Sequence, residues 1–285
     1  MLKDSVRTLG LLPQNTLSYA VGVVVRVSLP APLQELINKA FVKLFKINMS
    51  EAERPLTAYR SIEDIFTRAL KPNQRTVEGA YVSSADGVLE MSRPAVSGDE
   101  AIQAKGITYS LSELVFGKAQ KAFAAKWYTT VYLAPHNYHR VHAPFAGRVT
   151  GLRYIPGRLW PVNRPAVQAV SQLFCRNERL VFDFELEGGG KAWVVMVGAF
   201  NVGRMSTPIK PDFVTNAVYS LLHMAPKPLE LAISQPIGIK AGEEIGTFML
   251  GSTTVVVLDE KAFERLKPRD IHQSQKVSMG QGLSQ

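Results

Sequence analysis

Cysteine is almost absent from these 285 residues: Cys175 stands alone. One cysteine excludes an internal disulfide framework and any cysteine-based zinc site, and it fits a reducing compartment. Long apolar runs are missing too. The most apolar segment, Thr16 to Leu29, is 14 residues long and contains Arg26, whereas a membrane-spanning helix needs about 20. The opening Met-Leu-Lys-Asp-Ser-Val-Arg is not followed by an apolar core with a small-residue cleavage site, so no secretory signal is expected. No Lys/Arg run resembles a nucleic-acid arm, and no internal repeat is visible. A nucleic-acid partner is therefore not expected.

What is present is a formal charge of +9 on an ordinary globular composition, 46% apolar and 20% charged. Scattered positive charge favours an anionic partner such as an acidic membrane surface. From Pro32, the residues Leu33, Leu36, Ile37, Ala40, Phe41, Leu44 and Phe45 recur at helical spacing, with Lys39, Lys43 and Lys46 on the opposite side. Proline suits a first helical turn, and the pattern predicts an amphipathic helix over 32–46. Two readings stay open: a helix packed on the body by its apolar stripe, or an interfacial helix with Leu and Phe among acyl chains. Residues 1–46 carry six Lys/Arg against Asp4 and Glu35, a net +4.

A short helix with a Ser61 cap, an early acidic pair and a Pro72 stop follows. After it the texture becomes strand-like, at 79–83, 127–133, 148–155, 180–186, 192–198, 244–249 and 252–258. Gly188-Gly189-Gly190 between two of these runs signals a hairpin. One helix is expected at about 111–125, a long proline-rich loop, in the manner of a lid, at 206–230, and a polar, flexible tail after 270. The class is α+β: N-terminal amphipathic helices, then a β-rich catalytic body with mostly antiparallel strands. The expected division is a helical, membrane-associating region over 1–76, a catalytic domain over 77–270 and a tail over 271–285.

Three features could carry chemistry. His136, His139 and His142 fall within seven residues. They suggest either zinc, although no carboxylate or cysteine cluster accompanies them, or acid/base work near neutrality. On a strand, His136 and His142 would share a face and His139 the other. Ala85-Asp86-Gly87 is first a turn signal, but a carboxylate there could orient an imidazole. Leu250-Gly251-Ser252-Thr253 interrupts an apolar, β-branched run. It reads as a tight turn, or as an accessible glycine carbonyl followed by a hydroxyl able to attack it.

Together, Leu250-Gly251-Ser252-Thr253, Tyr138-His139-Arg140-Val141-His142-Ala143-Pro144 and Ala85-Asp86-Gly87 resemble the phosphatidylserine decarboxylase family. Phe66 to Pro72, Lys105 to Ser110, Leu173 to Arg179 and Val197 to Gly203 support the likeness, in the family's order. Ser84 replaces an expected proline and Asn137 an expected acidic residue, and neither is expected to touch the catalytic groups.

The resemblance implies a proenzyme that cuts itself between Gly251 and Ser252, with His142 as base and Asp86 orienting it. The products would be subunits 1–251 and 252–285, with Ser252 converted to a covalent pyruvoyl group. That cofactor would hold the serine amine of phosphatidylserine as a Schiff base and act as an electron sink. Carbon dioxide and phosphatidylethanolamine would be released. It further implies His139 as the decarboxylation-stage acid/base or positioning group, no metal, a homodimer of such heterodimers, and peripheral attachment to the cytoplasmic face of the cell (inner) membrane. The rival readings are a β-rich zinc peptidase using His136, His139 and His142, and a non-catalytic membrane-binding protein.

Overall fold

The computed structural model describes residues 12–118, 123–200, 204–216, 227–249 and 252–285. Helices come first: α1 (Gln14–Val24), α2 (Ala31–Phe45) and the short α3 (Ile62–Phe66). Then follow β1 (Gly87–Pro94), β2 (Glu100–Ala104), β3 (Ile107–Ser110), α4 (Leu111–Phe116), β4 (Trp127–Leu133), β5 (Arg140–His142) and β6 (Gly147–Ile155). Next are α5 (Arg164–Ala169), α6 (Leu173–Arg176), β7 (Arg179–Glu185), β8 (Lys191–Val197), β9 (Met205–Ser206), β10 (Leu229–Glu230) and β11 (Ile237–Ile239). The chain closes with β12 (Glu244–Phe248), β13 (Ser252–Leu258), α7 (Glu260–Leu266) and β14 (Gln275–Val277). The architecture is α+β with antiparallel pairing, as the sequence pattern predicts.

The main sheet runs β10-β6-β7-β8-β13-β4-β1-β14, with β11 also paired to β6. β13 lies inside it, laddered to β4 from Ser252↔Leu133 to Leu258↔Trp127 and to β8 from Thr253↔Val197 to Leu258↔Ala192. Its β-branched sequence Ser-Thr-Thr-Val-Val-Val-Leu is buried throughout, because both faces of the sheet are covered. Val256 and Leu258 join one core, with Val131, Val194 and Phe145, while Val255 and Val257 join a second, with Tyr128, Val195 and Trp193. The first core is roofed by a small sheet, β5-β12-β9, whose Val141, Ile245, Phe248 and Met205 point into it. The predicted hairpin is β7–β8, and Gly188, Gly189 and Gly190 all take positive φ in its turn.

Three expectations need correction. The run 79–83 is no strand: its backbone is spent on other loops, through a single bridge Val82↔Gly282 and a bond from Val82 N–H to the Pro144 carbonyl. The helix expected over 111–125 stops at Phe116, because Gly117 turns left-handed at φ 80° and closes it; residues 119–122 lie outside the described residues. The segment after 270 packs instead of trailing. β14 pairs with β1 at Gly87↔Val277, Met279 and Leu283 are buried, and Leu283 N–H bonds the Tyr81 carbonyl. Of the 206–230 loop, residues 217–226 lie outside the described residues.

The N-terminal helices are turned inside out. On α1 the buried residues are Gln14, Ser18 and Gly22, while Val23 and Val24 are exposed. On α2 the buried residues are Gln34 and Asn38, while Leu36 is 65% and Leu44 73% exposed. Asn38 accounts for this orientation: it donates to the Tyr59 carbonyl at 2.9 Å and accepts from Gln34 at 2.8 Å. A buried polar pair so satisfied anchors the helix by its polar side. The apolar stripe then faces outward, with only Phe41 and Val42 packed against the small cluster around Ile47, Tyr59 and Ile65. Among the described residues no helix is long and apolar enough to cross a membrane.

Candidate active site

The loop before β1 is stitched to its surroundings by backbone bonds. Ser83 N–H bonds the Gln281 carbonyl, Gly280 N–H bonds the Ser83 carbonyl, and His142 N–H bonds the Ser84 carbonyl at 2.8 Å. Gly87 is required where β1 begins, because a Cβ there would stand 2.2 Å from the Tyr132 carbonyl oxygen of β4. Ser84 Oγ meets Thr254 Oγ1 of β13 at 3.0 Å. Ser84 therefore joins the Asp86 loop, the His142 strand and the strand that Ser252 begins. The expectation that Ser84 touches none of these groups is overturned. So is that for Asn137, whose carbonyl accepts from His139 Nδ1–H at 2.9 Å.

Ser252 is fully buried, and its Oγ has no hydrogen-bond partner. Strand alternation puts it on the face of Thr254, Val256 and Leu258, toward the roofing sheet. Leu250 and Gly251, with the carbonyl that Ser252 would attack, lie outside the described residues.

His142 donates Nδ1–H to the Gly242 carbonyl at 2.8 Å, since a carbonyl can only accept. Its Nε2 lone pair consequently faces the Tyr138 hydroxyl, 3.0 Å away. Burial is the main reason its pKa lies below the ordinary histidine value, so the ring is neutral at pH 7. Asp86 does not hydrogen-bond that ring. Its carboxylate is gripped by the Arg75 guanidinium fork, at 2.8 Å from Nε to Oδ1, and Oδ1 also accepts Met279 N–H at 2.8 Å. Arg75 bridges on to Glu51 at 2.9 Å. Asp86 still acts on His142 through space, favouring its charged form as the smallest of several influences.

His139 sits at the other end of the same short segment. It is fully buried, its ring lies against Phe66 with centroids 3.9 Å apart, and its carbonyl accepts Phe248 N–H at the end of β12. Burial, reinforced by the nearby Arg68 charge, holds its pKa well below the ordinary value. With Nδ1–H committed to Asn137, the lone pair falls on Nε2, and that atom has no partner. The described residues thus offer two neutral imidazoles on one short segment and a serine hydroxyl without a partner, and no hydrogen bond among them links Asp86, His142 and Ser252. His136 makes no side-chain hydrogen bond among the described residues; its carbonyl accepts from Arg68, and it acts on His139 through space as the smallest of several influences. Among the described residues no group of three His, Cys, Asp or Glu side chains could hold a metal ion.

The model of the phosphatidylserine decarboxylase family matches residues 62–285. The chain belongs to this family. A phosphatidylserine decarboxylase proenzyme of Anaeromyxobacter sp. (strain K) is 40% identical over 269 residues, covering 93% of this chain and 92% of the relative. Those of Myxococcus xanthus and Azotobacter vinelandii are each 36% identical, over 90% and 100% of this chain and 89% and 99% of theirs. Decarboxylation is accordingly the activity to be explained by these side chains.

For a decarboxylase of this family, three partners went unread in the sequence: Tyr138 on His142, Arg75 on Asp86 and the Gly242 carbonyl on the imidazole. Tyr138 lies inside the histidine motif itself, a hydroxyl four residues before His142, and is the one of the three with a local signal. Arg75 and Gly242 are set by tertiary register and leave no local signal.

Proposed function

We propose that the chain is a self-cleaving, pyruvoyl-dependent enzyme that converts phosphatidylserine to phosphatidylethanolamine and carbon dioxide at a membrane surface. The observation that carries the reading is the Ser252 hydroxyl: buried, unpartnered, and placed at the first residue of an interior strand. A buried hydroxyl without a partner is costly and calls for an explanation. Conversion of that residue to a pyruvoyl group, which removes the unpaired hydroxyl donor, supplies one.

In the cutting step Ser252 Oγ attacks the Gly251 carbonyl carbon and gives its proton to an imidazole. The C–N bond breaks, the nitrogen takes a proton, and an ester remains. Elimination then splits the ester into the Gly251 carboxylate and an unsaturated residue at 252, whose hydrolysis gives the pyruvoyl group and ammonia. We assign the base to His142, with Tyr138 surrendering its Nε2, and assign to Asp86 and Arg75 the task of holding the loop through Ser84 and Met279. The pyruvoyl carbonyl supplies an electron sink for loss of carbon dioxide. To His139, neutral and with Nε2 unpartnered, we assign exchange of a proton with the reacting carbon or positioning of the carboxylate.

The same free lone pair favours a second assignment, in which His139 is the base that activates Ser252. His142→Ala and His139→Ala separate the two. Membrane action is supported by the outward apolar stripes of α1 and α2 together with the net positive N-terminal region, and a diacyl substrate confined to a bilayer requires such contact. Attachment to the cytoplasmic face of the inner membrane, and pairing of two processed molecules, belong to the same proposal.

Intact mass tests the whole. The expected result is two fragments breaking between 251 and 252, the smaller carrying a ketone in place of its amine, with carbon dioxide released from phosphatidylserine vesicles. An uncut wild-type chain with no carbonyl after prolonged incubation overturns it.

A further inference from the structure

Decarboxylating a phospholipid requires something to hold the phosphodiester, and two neutral imidazoles cannot. Arg204 offers a cationic donor suited to an anion. Its Nη1 is buried and has no hydrogen-bond partner. Burial first, and the neighbouring Arg26 second, disfavour its charged form, with Glu63 and Tyr19 only partly offsetting them. Arg26 itself donates Nε–H to the Gly22 carbonyl at 2.6 Å and lies 3.9 Å from Glu63 Oε2. Burial in turn pushes the Glu63 carboxyl pKa up, which leaves it a weaker counter-ion. Two guanidinium charges thus act on a single carboxylate, and a buried charged donor left unpaired costs stability unless a ligand completes it.

The location decides which ligand. The Arg204 carbonyl accepts Met249 N–H at 3.0 Å, and β9, which it leads into, pairs with β12 at Thr247↔Ser206 and Phe248↔Met205. On the other edge of β12, the His139 carbonyl accepts Phe248 N–H. Arg204 and His139 therefore flank the strand end that leads to Ser252, two strand spacings, roughly 10 Å, apart at the backbone. In a serine phosphodiester the phosphorus is four bonds from the amine, a span that an arginine side chain closes from that distance. Above Arg204 stands α1: a Cβ added at Gly22 would be 3.8 Å from Arg204 Cδ. The helix that turns Val23 and Val24 outward thus packs by its inner face against the Arg204 stem.

We propose that Arg204, with Arg26 beside it, binds the phosphodiester of the lipid substrate; this rests on the function proposed above.

The test uses purified full-length protein and dihexanoyl phosphatidylserine, a soluble substrate that removes membrane docking from the measurement. Arg204→Gln should be cut into the same two fragments as wild type and keep kcat within a few-fold. Its KM should rise roughly 10- to 100-fold, the scale of a lost charge-assisted contact. Arg204→Lys, which keeps charge but loses the fork, should fall between, and decides the matter if the Gln variant does not fold. Glycerophosphoserine should inhibit wild type and spare Arg204→Gln. An unchanged KM in well-folded, fully cut variants overturns the proposal. So does a defect confined to vesicles and matched by lost vesicle binding, which would make the arginines readers of the surface. An active wild type with indifferent variants sinks this inference alone; an inactive, uncut wild type sinks the function it rests on as well.

Discussion

Replacing Leu36 and Leu44 together by serine isolates the proposed membrane contact from the fold. In the free protein these side chains are 65% and 73% exposed, so they contribute little to the folded state, and surface changes of this sort stay within about 0.5 kcal/mol. Fully burying a leucine side chain is worth about 1.5–3 kcal/mol. About two-thirds of that remains to be gained by each when α2 settles among acyl chains. The pair then contributes roughly 2–4 kcal/mol to membrane binding, which is roughly 30- to 900-fold in partitioning. Sedimentation with phosphatidylserine-containing vesicles reads the partition, and a thermal melt and intact mass report fold and self-cutting. The double variant should melt and cut as wild type while losing that factor in vesicle affinity. Two results would refute the reasoning: unchanged partitioning, or a melting temperature lowered by many degrees. The latter would show that the stripe is covered by protein.

Other outcomes follow from the site. Ser252→Ala should remain one chain of 31.4 kDa by mass spectrometry, and the fold should persist, since the lost hydroxyl has no partner to strand. Tyr138→Phe removes the hydroxyl facing His142 Nε2, so cutting followed by gel or mass should be at least as fast as in wild type; arrest would put Tyr138 in the proton path. Both imidazoles are held below the ordinary histidine value by burial, so the acid limb of the cutting rate should have its midpoint below pH 6.5. A midpoint at or above that value contradicts the burial argument. Glu178 is fully buried, with the Tyr154 hydroxyl donating to it at 2.8 Å, and burial pushes its pKa up to about 7. A carboxyl raised on folding contributes stability below its unfolded pKa and loses it as pH rises through the folded value. Glu178→Gln should accordingly melt higher than wild type at pH 8, with the gap closing toward pH 5.

What the sequence disclosed was whatever lies in contiguous runs. The strand periods of β6 to β8, the Ser61 cap and the three chemical motifs are local patterns, and local patterns survive folding. Periodicity also showed that Leu33, Leu36, Leu44 and Phe45 share a helix face, but not which way the face points. That was decided by Gln34 and Asn38, two polar residues whose hydrogen bonds reach Tyr59, 21 positions away from Asn38. The tail misled for a related reason. Its polar composition hid the two apolar anchors Met279 and Leu283, and backbone pairing of β14 with β1 needs no particular side chains. At the site, the partners of His142 and Asp86 come from Gly242 and Met279, 100 and 193 residues distant. No spacing rule reaches that far.

The interior place of β13 has a consequence for how such a protein lives and dies. A break before Ser252 leaves a short C-terminal piece that supplies a strand laddered on both sides, a second strand at the sheet edge, and buried side chains at Met279 and Leu283. The piece cannot leave without dismantling the sheet, so dilution will not separate it, and its departure is global unfolding. Assembly, in contrast, stops being a reaction of one molecule. Once melted, the halves must find each other again in solution, at a rate set by concentration and in competition with aggregation. The uncut Ser252→Ala chain should refold after heating at any dilution, whereas a cut molecule is folded once. Its lifetime is then set by its unfolding barrier, with no equilibrium to restore it.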